Sequence, residues 1–303
     1  MSIPAPIRFG TSSWAYEGWQ GSVYTRSYPK SRFSKDCLAE YADYAYEGSR
    51  LFRTVGIDHT FYRPPTAEML AHYASQVPED FRFCQKVWEE ITIPRYATHP
   101  RYGAKAGMGN PRFLDAQAFV ELVLGPSQRG LGDRMGAFIF EFQRHGMPPA
   151  EFLARLDTFL TGLPAGPQYA VEVRNPGMLG PRYADCLRAH WVAHVYNHWS
   201  IMPPLAQQDR VMGNRFTTDL VVFRLLTPLG LSYSEAVERY RPYDRLQSPL
   251  PEMRGDTIAL CRRVRDEGKS AYVLVNNRAE GNAPATVQAL VDALAGSPPN
   301  SAS

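Results

Sequence analysis

Residues 169–174 read Y-A-V-E-V-R, and this stretch decides the fold. Apart from Glu172 and Arg174 it is apolar on both faces, whereas a strand with one solvated face would alternate. Seven more runs rich in β-branched or aromatic residues recur along the chain, giving expected strands near 7–10, 51–58, 81–87, 137–142, 169–174, 192–197, 220–226 and 271–277. Between most of them lie segments of helical periodicity, such as 113–124, 150–160, 183–190 and 256–265. Apolar strands alternating with amphipathic helices predict a parallel sheet covered by helices, and eight such units are most economically closed. The expectation is an α/β protein, a single (β/α)8 TIM barrel over residues 1–296, followed by a disordered tail at 297–303. An open doubly wound sheet is the runner-up. Its dinucleotide-binding form is disfavoured because the first strand leads into G-T-S-S-W at 10–14 rather than G-x-G-x-x-G.

Composition narrows the function classes. The chain has 303 residues, 44% of them hydrophobic, and a net charge of +3, too small for the broad basic field of a tight duplex binder. Cys37, Cys84, Cys186 and Cys261 lie scattered without C-x-x-C spacing, which fits reduced thiols better than a disulfide framework. The N-terminal segment lacks a basic-then-apolar signal pattern, and no apolar run reaches the roughly eighteen residues needed to cross a bilayer. A cytoplasmic protein with no membrane association is expected.

In a (β/α)8 barrel the chemistry sits at the C-terminal ends of the strands. Read there, the sequence gives a concentrated polar set. Lys86, Glu141 and Glu172 interrupt or end apolar strands and would be costly to bury unpaired, so each must pair, bind a ligand or reach water. They are the catalytic candidates, with a Glu as general acid/base of a hydrolase or lyase. Glu172 and Arg174, two apart on a strand, share one side. Substrate-binding candidates are Trp14, Tyr62, Arg63, Arg174, Asn197, Arg224, Asn276 and Asn277. An internal salt-bridge network is the structural alternative for the charged members. No cofactor is predicted. Should a divalent metal bind, Asp58 and His59 are the candidates, although ligands drawn from different strands leave no diagnostic spacing.

The segment 91–112 carries Arg95, His99, Arg101, Lys105 and Arg112, with no acid between Glu90 and Asp115. As a long loop it is expected to be functional or mobile, and its cations and tyrosines suit a phosphate or a base.

Taken together, G-T-S-S-W-A-Y-E-G-W at the start, T-F-Y-R-P-P after the second strand, F-C-Q-K at the third, V-E-V-R-N-P at the fifth and V-N-N-R near the end form a pattern. The sequence resembles the YecE-like family, the domain of unknown function seventy-two, over nearly its whole length. The resemblance implies a TIM barrel and no particular reaction. It matches at Gly10, Trp14, Tyr16, Trp19, Phe61, Tyr62, Arg63, Lys86, Glu172, Arg174, Arg224, Asn276 and Asn277. The chain departs from the family pattern where Gly56 replaces an acid, Asp58 an amide, Glu141 a common Gln and Leu226 a His. Those departures put catalytic competence in question.

The leading expectation is an enzyme acting on a phosphate-bearing or otherwise anionic small molecule, held by Lys86, Arg174 and Arg224. The alternatives are a nucleic-acid binding or processing protein using the loop 91–112, and a non-catalytic ligand-binding barrel. Glycoside hydrolysis by Glu141 and Glu172 ranks lower, because the seventh strand ends in Arg224 rather than an acid.

Overall fold

The apolar runs are buried along almost their full length, as strands covered on both faces must be. In the computed structural model, which describes residues 6–296, they are β1 (Ile7–Thr11), β2 (Thr54–Ile57), β3 (Arg82–Lys86), β4 (Met135–Phe142), β5 (Tyr169–Val173), β6 (Ala193–His198), β7 (Leu220–Leu225) and β8 (Ser270–Val275). They form a closed barrel in chain order, β8 returning to pair with β1 in parallel from Ile7↔Ala271 to Thr11↔Val275. The α/β barrel expected from the sequence is therefore the fold. The tail expected at 297–303 lies outside the described residues.

By packing, the chain groups into two compact units. Among the described residues, one comprises 6–56, Tyr196–Gln208 and 219–296; the other comprises Ile57–Val195 and Asp209–Thr218. No shift of composition marks these divisions.

Several elements differ from their expected bounds: the helix expected at 256–265 runs from Pro251 to Asp266, and two further differences have visible causes. β2 starts at Thr54 rather than 51, because Leu51 and Phe52 are buried by side-chain packing before the ladder begins. The Phe52 ring stacks on Tyr41 at 4.3 Å with 2° between planes, and the Leu51 amide donates to the Tyr44 carbonyl. At its other end, Asp58–Phe61 turns into a 3-10 helix instead of continuing the strand. The helix expected at 113–124 starts at Ala116, where Asp115 caps it by accepting from the Ala118 amide at 2.9 Å. It then passes through a π segment, Val120–Leu124, and continues as Gly125–Leu131.

All four cysteines are free thiols; Cys37, Cys84 and Cys261 are buried and Cys186 is partly exposed. Among the described residues no helix is long and apolar enough to cross a membrane.

The approach of β1 to β2 leaves no room for a side chain at Gly10. A Cβ there would lie 1.9 Å from the Thr54 carbonyl oxygen. Gly10→Ala is expected to destabilise the protein by at least about 1–3 kcal/mol, the usual cost of overpacking. Denaturant unfolding reads this directly, and a change below about 0.5 kcal/mol, the scatter of neutral surface substitutions, would contradict it.

Candidate functional site

Three consecutive strands deliver the charged residues. Lys86 ends β3, Glu141 is the penultimate residue of β4, and Glu172 lies in β5, directly opposite Glu141 in the parallel register. Arg174 follows β5 immediately, its amide donating to the Phe142 carbonyl. The side-chain period of two puts Arg174 on the same side as Glu172, and its Nε donates to Glu172 Oε1 at 2.6 Å. Its Nη2 reaches Glu141 Oε2 at 2.7 Å. Lys86 Nζ binds that same Glu141 oxygen at 2.8 Å. One carboxylate oxygen thus lies between two cations.

The four side chains are buried: Glu172 is fully covered, and Lys86 retains 9% exposure. Two positive and two negative groups sum to zero formal charge. Lys86 Nζ also sits 3.7 Å from the centroid of the Phe61 ring, a cation–π contact on the 3-10 turn that follows β2. Thr60 of that turn donates to the Lys86 carbonyl at 2.7 Å, tying the turn to the end of β3.

The segment 91–112 is ordered into a strap. Its two limbs bond back on themselves: the Tyr96 amide donates to the Met108 carbonyl, Gly107 to Tyr96, and Asn110 to Pro94. Buried Asn110 is the knot. Its Nδ2 donates to the Glu90 and Ile93 carbonyls, both at 2.7 Å, while its Oδ1 accepts from the Tyr96 hydroxyl and the Arg112 amide. Three of the strap's cations are engaged by the two acids that precede it, while the Arg95 guanidinium donates to the Gly107 carbonyl within the strap. Arg101 pairs with Glu89 at 2.6 Å, and Lys105 and Arg112 each pair with Glu90 at 2.8 Å. Burial pushes the Glu89 carboxyl up, against the pull of Tyr102, Arg101 and Lys86. Glu90 is also partly buried, but its bonds to Lys105 and Arg112 win and hold it low.

Glu89 and Glu90 are the residues beside the candidate site that the sequence reading undervalued. Two adjacent acids immediately ahead of an acid-free cationic stretch were the available signal.

A cleft of about 590 Å³ opens beside them, lined by Tyr62, Arg63, Trp88, Arg101 and Lys105 among others. Tyr62 is 58% exposed, with the Arg101 guanidinium 5.1 Å from its ring. The structure therefore brings together Lys86, Glu141, Glu172 and Arg174, and puts Tyr62 and Arg63 on the wall of this cleft.

Trp14, Asn197, Arg224, Asn276 and Asn277 belong to the other compact unit, all buried. The Trp14 indole donates to the Ser34 carbonyl at 2.9 Å. Asn277 Oδ1 accepts from Trp19 Nε1 and the Ala283 amide, and Asn276 Oδ1 from the Arg278 amide. Asn197 exchanges two bonds with Gln208 through its backbone. The contacts of Trp14, Asn276 and Asn277 organise loops, while those of Asn197 tie β6 to the helix Leu205–Val211. Of the metal candidates, His59 lies 3.5 Å from the Tyr73 hydroxyl, and burial pushes its imidazole pKa down despite the opposing pull of Asp58. Among the described residues, Asp58 and His59 gain no third ligating side chain. At the departure from the family pattern, a Cβ on Gly56 would come within 2.8 Å of the Ser12 carbonyl oxygen, so an acid there would require the backbone to shift.

Eight parallel strands closed into a barrel, with ionisable side chains converging where three of them end, define a (β/α)8 barrel protein with charged strand ends. The chain belongs to the family described as protein of unknown function DUF72, which it matches over residues 8–302. Solved structures similar to it include a DUF72 family protein from Enterococcus faecalis V583, with TM-score 0.66 and 18% identity, covering 97% of each chain. A DUF72 family protein from Thermotoga maritima MSB8 aligns with TM-score 0.60 and 21% identity over 95% of this chain and 99% of that one. At these identities the likeness is one of fold. No curated protein matches the chain.

Since Asn110 satisfies four backbone and side-chain groups of the strap, Asn110→Ala should expose the segment 91–112 to cleavage. Limited proteolysis with mass mapping is expected to show new cuts there, and a local loss of about 1–3 kcal/mol for the stranded buried groups. A digestion pattern identical to that of the parent would refute the knot.

Proposed function

We propose that the chain is an enzyme acting on a phosphate-bearing or otherwise anionic small molecule at the C-terminal ends of β3, β4 and β5. The observation that carries this reading is the shared oxygen. Glu141 Oε2 accepts from both Lys86 Nζ at 2.8 Å and Arg174 Nη2 at 2.7 Å. Two cations set around a single anionic oxygen form a cradle that fits a phosphate or carboxylate oxygen equally well. In this chain the Glu141 carboxylate fills that cradle itself. A ligand anion would take the place of Glu141, and the displaced carboxylate would then lie beside the bound group as its general acid/base. Glu172, held by Arg174 Nε, stays in place to fix the guanidinium plane. The reaction class this fits is hydrolysis or elimination with a Glu as proton donor or acceptor.

Burial argues against a purely structural role. Replacing a buried ion network with apolar side chains is often neutral or stabilising, so its presence at the catalytic end of a barrel favours a use for the charges. A hold on nucleic acid by the strap draws less support, because Arg101, Lys105 and Arg112 already engage Glu89 and Glu90.

Glu141→Gln removes the competing charge while keeping the shape. Titration with inorganic phosphate and phosphate monoesters, followed by calorimetry, should show affinity raised roughly tenfold or more over the parent, the worth of one charged hydrogen bond. Lys86→Met, in the same Gln background and checked for native near-ultraviolet circular dichroism, should abolish the gain. Equal affinities in all three proteins would sink the reading. Saturable binding with no turnover of any ester would move it to a non-catalytic ligand-binding barrel.

A further inference from the structure

Away from the charged strand ends, a second group of side chains meets between two helices on the outside of the barrel. Asp157 lies in the helix Pro149–Thr161, Cys186 in the helix Pro181–Ala189, and His190 at the C-cap of the latter. Among the described residues this is the one trio of His, Cys and acidic side chains whose ligating atoms all lie within 4.8 Å of one another. We infer that Asp157, Cys186 and His190 form a binding site for a zinc-like divalent transition metal, independent of the anion-binding reading above.

Three features carry the inference. Cys186 and His190 are four apart, so one helical turn brings thiol and imidazole to the same face. The third donor comes from the neighbouring helix, with His190 Nε2 already 2.7 Å from Asp157 Oδ1. Cys186 is also the partly exposed cysteine of the four, whereas Cys37, Cys84 and Cys261 are buried. A thiolate, an imidazole and a carboxylate are a donor set for zinc or cobalt rather than for magnesium or calcium, which take oxygen ligands.

The size is right within small side-chain movements. Metal–ligand bonds of roughly 2.0–2.3 Å at tetrahedral angles put donor atoms about 3.3–3.7 Å apart. The His190–Asp157 contact, at 2.7 Å, must therefore open by somewhat over half an ångström, and the sulfur, within 4.8 Å of both, need close by no more than about 1–1.5 Å. Asp157 is exposed and Cys186 and His190 only half covered, so these shifts disturb no core packing. Three protein ligands leave the fourth position for water.

Binding is a substitution of protons by metal. Bonds form from the ion to Sγ, to Nε2 and to a carboxylate oxygen; the thiol proton leaves to solvent, and any Nε2 proton shared with Asp157 leaves with it. Because the thiol must give up its proton to bind, affinity should rise with pH. His190 lies three residues before Ala193, the first residue of β6. The group is thus at the N-terminal end of that strand, opposite the end bearing Lys86, where a bound ion would clasp two helices together.

The test uses the full chain, reduced and stripped with chelator, titrated with cobalt(II) and then zinc(II). One cobalt per chain is expected, with a near-ultraviolet thiolate-to-cobalt band that one equivalent of zinc removes. Cys186→Ser should lose the band, and His190→Ala should weaken binding roughly tenfold or more, a cost at least that of losing an outer-shell partner. Zinc should raise the Tm of the parent and leave that of Cys186→Ser unchanged. No cobalt uptake, a band that survives Cys186→Ser, or an affinity untouched by His190→Ala would each overturn the site and leave an ordinary His–Asp pair between helices.

Discussion

Glu141 and Glu172 face each other across adjacent parallel strands, and much of the candidate site follows from neutralising that pair. Two carboxylates this close and this buried repel strongly where water cannot screen them. Arg174 answers both with one guanidinium, and Lys86 supplies the second positive charge to Glu141. The four depend on one another, since deleting one side chain of a buried network outright leaves an uncompensated charge at a cost of about 3–5 kcal/mol, whereas Gln at 141 keeps the shape and leaves one positive charge to be met. The constraint reaches the backbone as well. Lys86 can meet Glu141 because β3 and β4 are paired through Lys86↔Ile139, two residues short of Glu141, and a slip of one residue would send these side chains to opposite faces.

Lys86 links this network to the strap. It lies close enough to Glu89 to help draw that carboxyl toward ionisation, while Glu89 itself takes Arg101 and Tyr102. Charges of alternating sign therefore run from Glu172 through Arg174, Glu141 and Lys86 to Glu89 and Arg101. A change of charge at either end is felt along the chain of contacts, and the strap is the part with water on one side. Backbone bonds between its limbs and a 3-10 turn at Pro100–Lys105 shape it, and the Asn110 amide satisfies the Glu90 and Ile93 carbonyls at its base.

The barrel was legible because burial on both faces writes long apolar runs, and closure needed only their number. Where the reading slipped, at 51–53, the apolar signal was real but its cause was ring stacking of Phe52 on Tyr41 rather than a ladder. Composition cannot tell the two apart. Lys86, Glu141, Glu172 and Arg174 were legible for the opposite reason, as charges where charge is costly. Glu89 and Glu90 were harder, since an acid beside a strand end looks like solvated surface until its partners twelve to twenty-two residues later fold back onto it. The same blindness made 91–112 look like an open basic loop. Its charge was counted without the two residues before it. Trp14 and Asn277 show a further limit: their positions were found, but only geometry reveals that the Trp14 and Asn277 side chains hold local loop structure.

Glu141 carries the difference between this chain and the pattern it resembles, where Gln is common. A Gln would leave the network with one net positive charge and a cradle ready for an anion. With Glu the network is neutral, so an incoming anion finds its cations already satisfied and must bring compensation. On the proposed reading that means the carboxylate swings out toward water. Full burial of Glu172 beneath it and the Phe61 ring over Lys86 leave the cations themselves little freedom to move. Under the proposed reading, then, anion capture in this chain requires Glu141 to give up its place between Lys86 and Arg174.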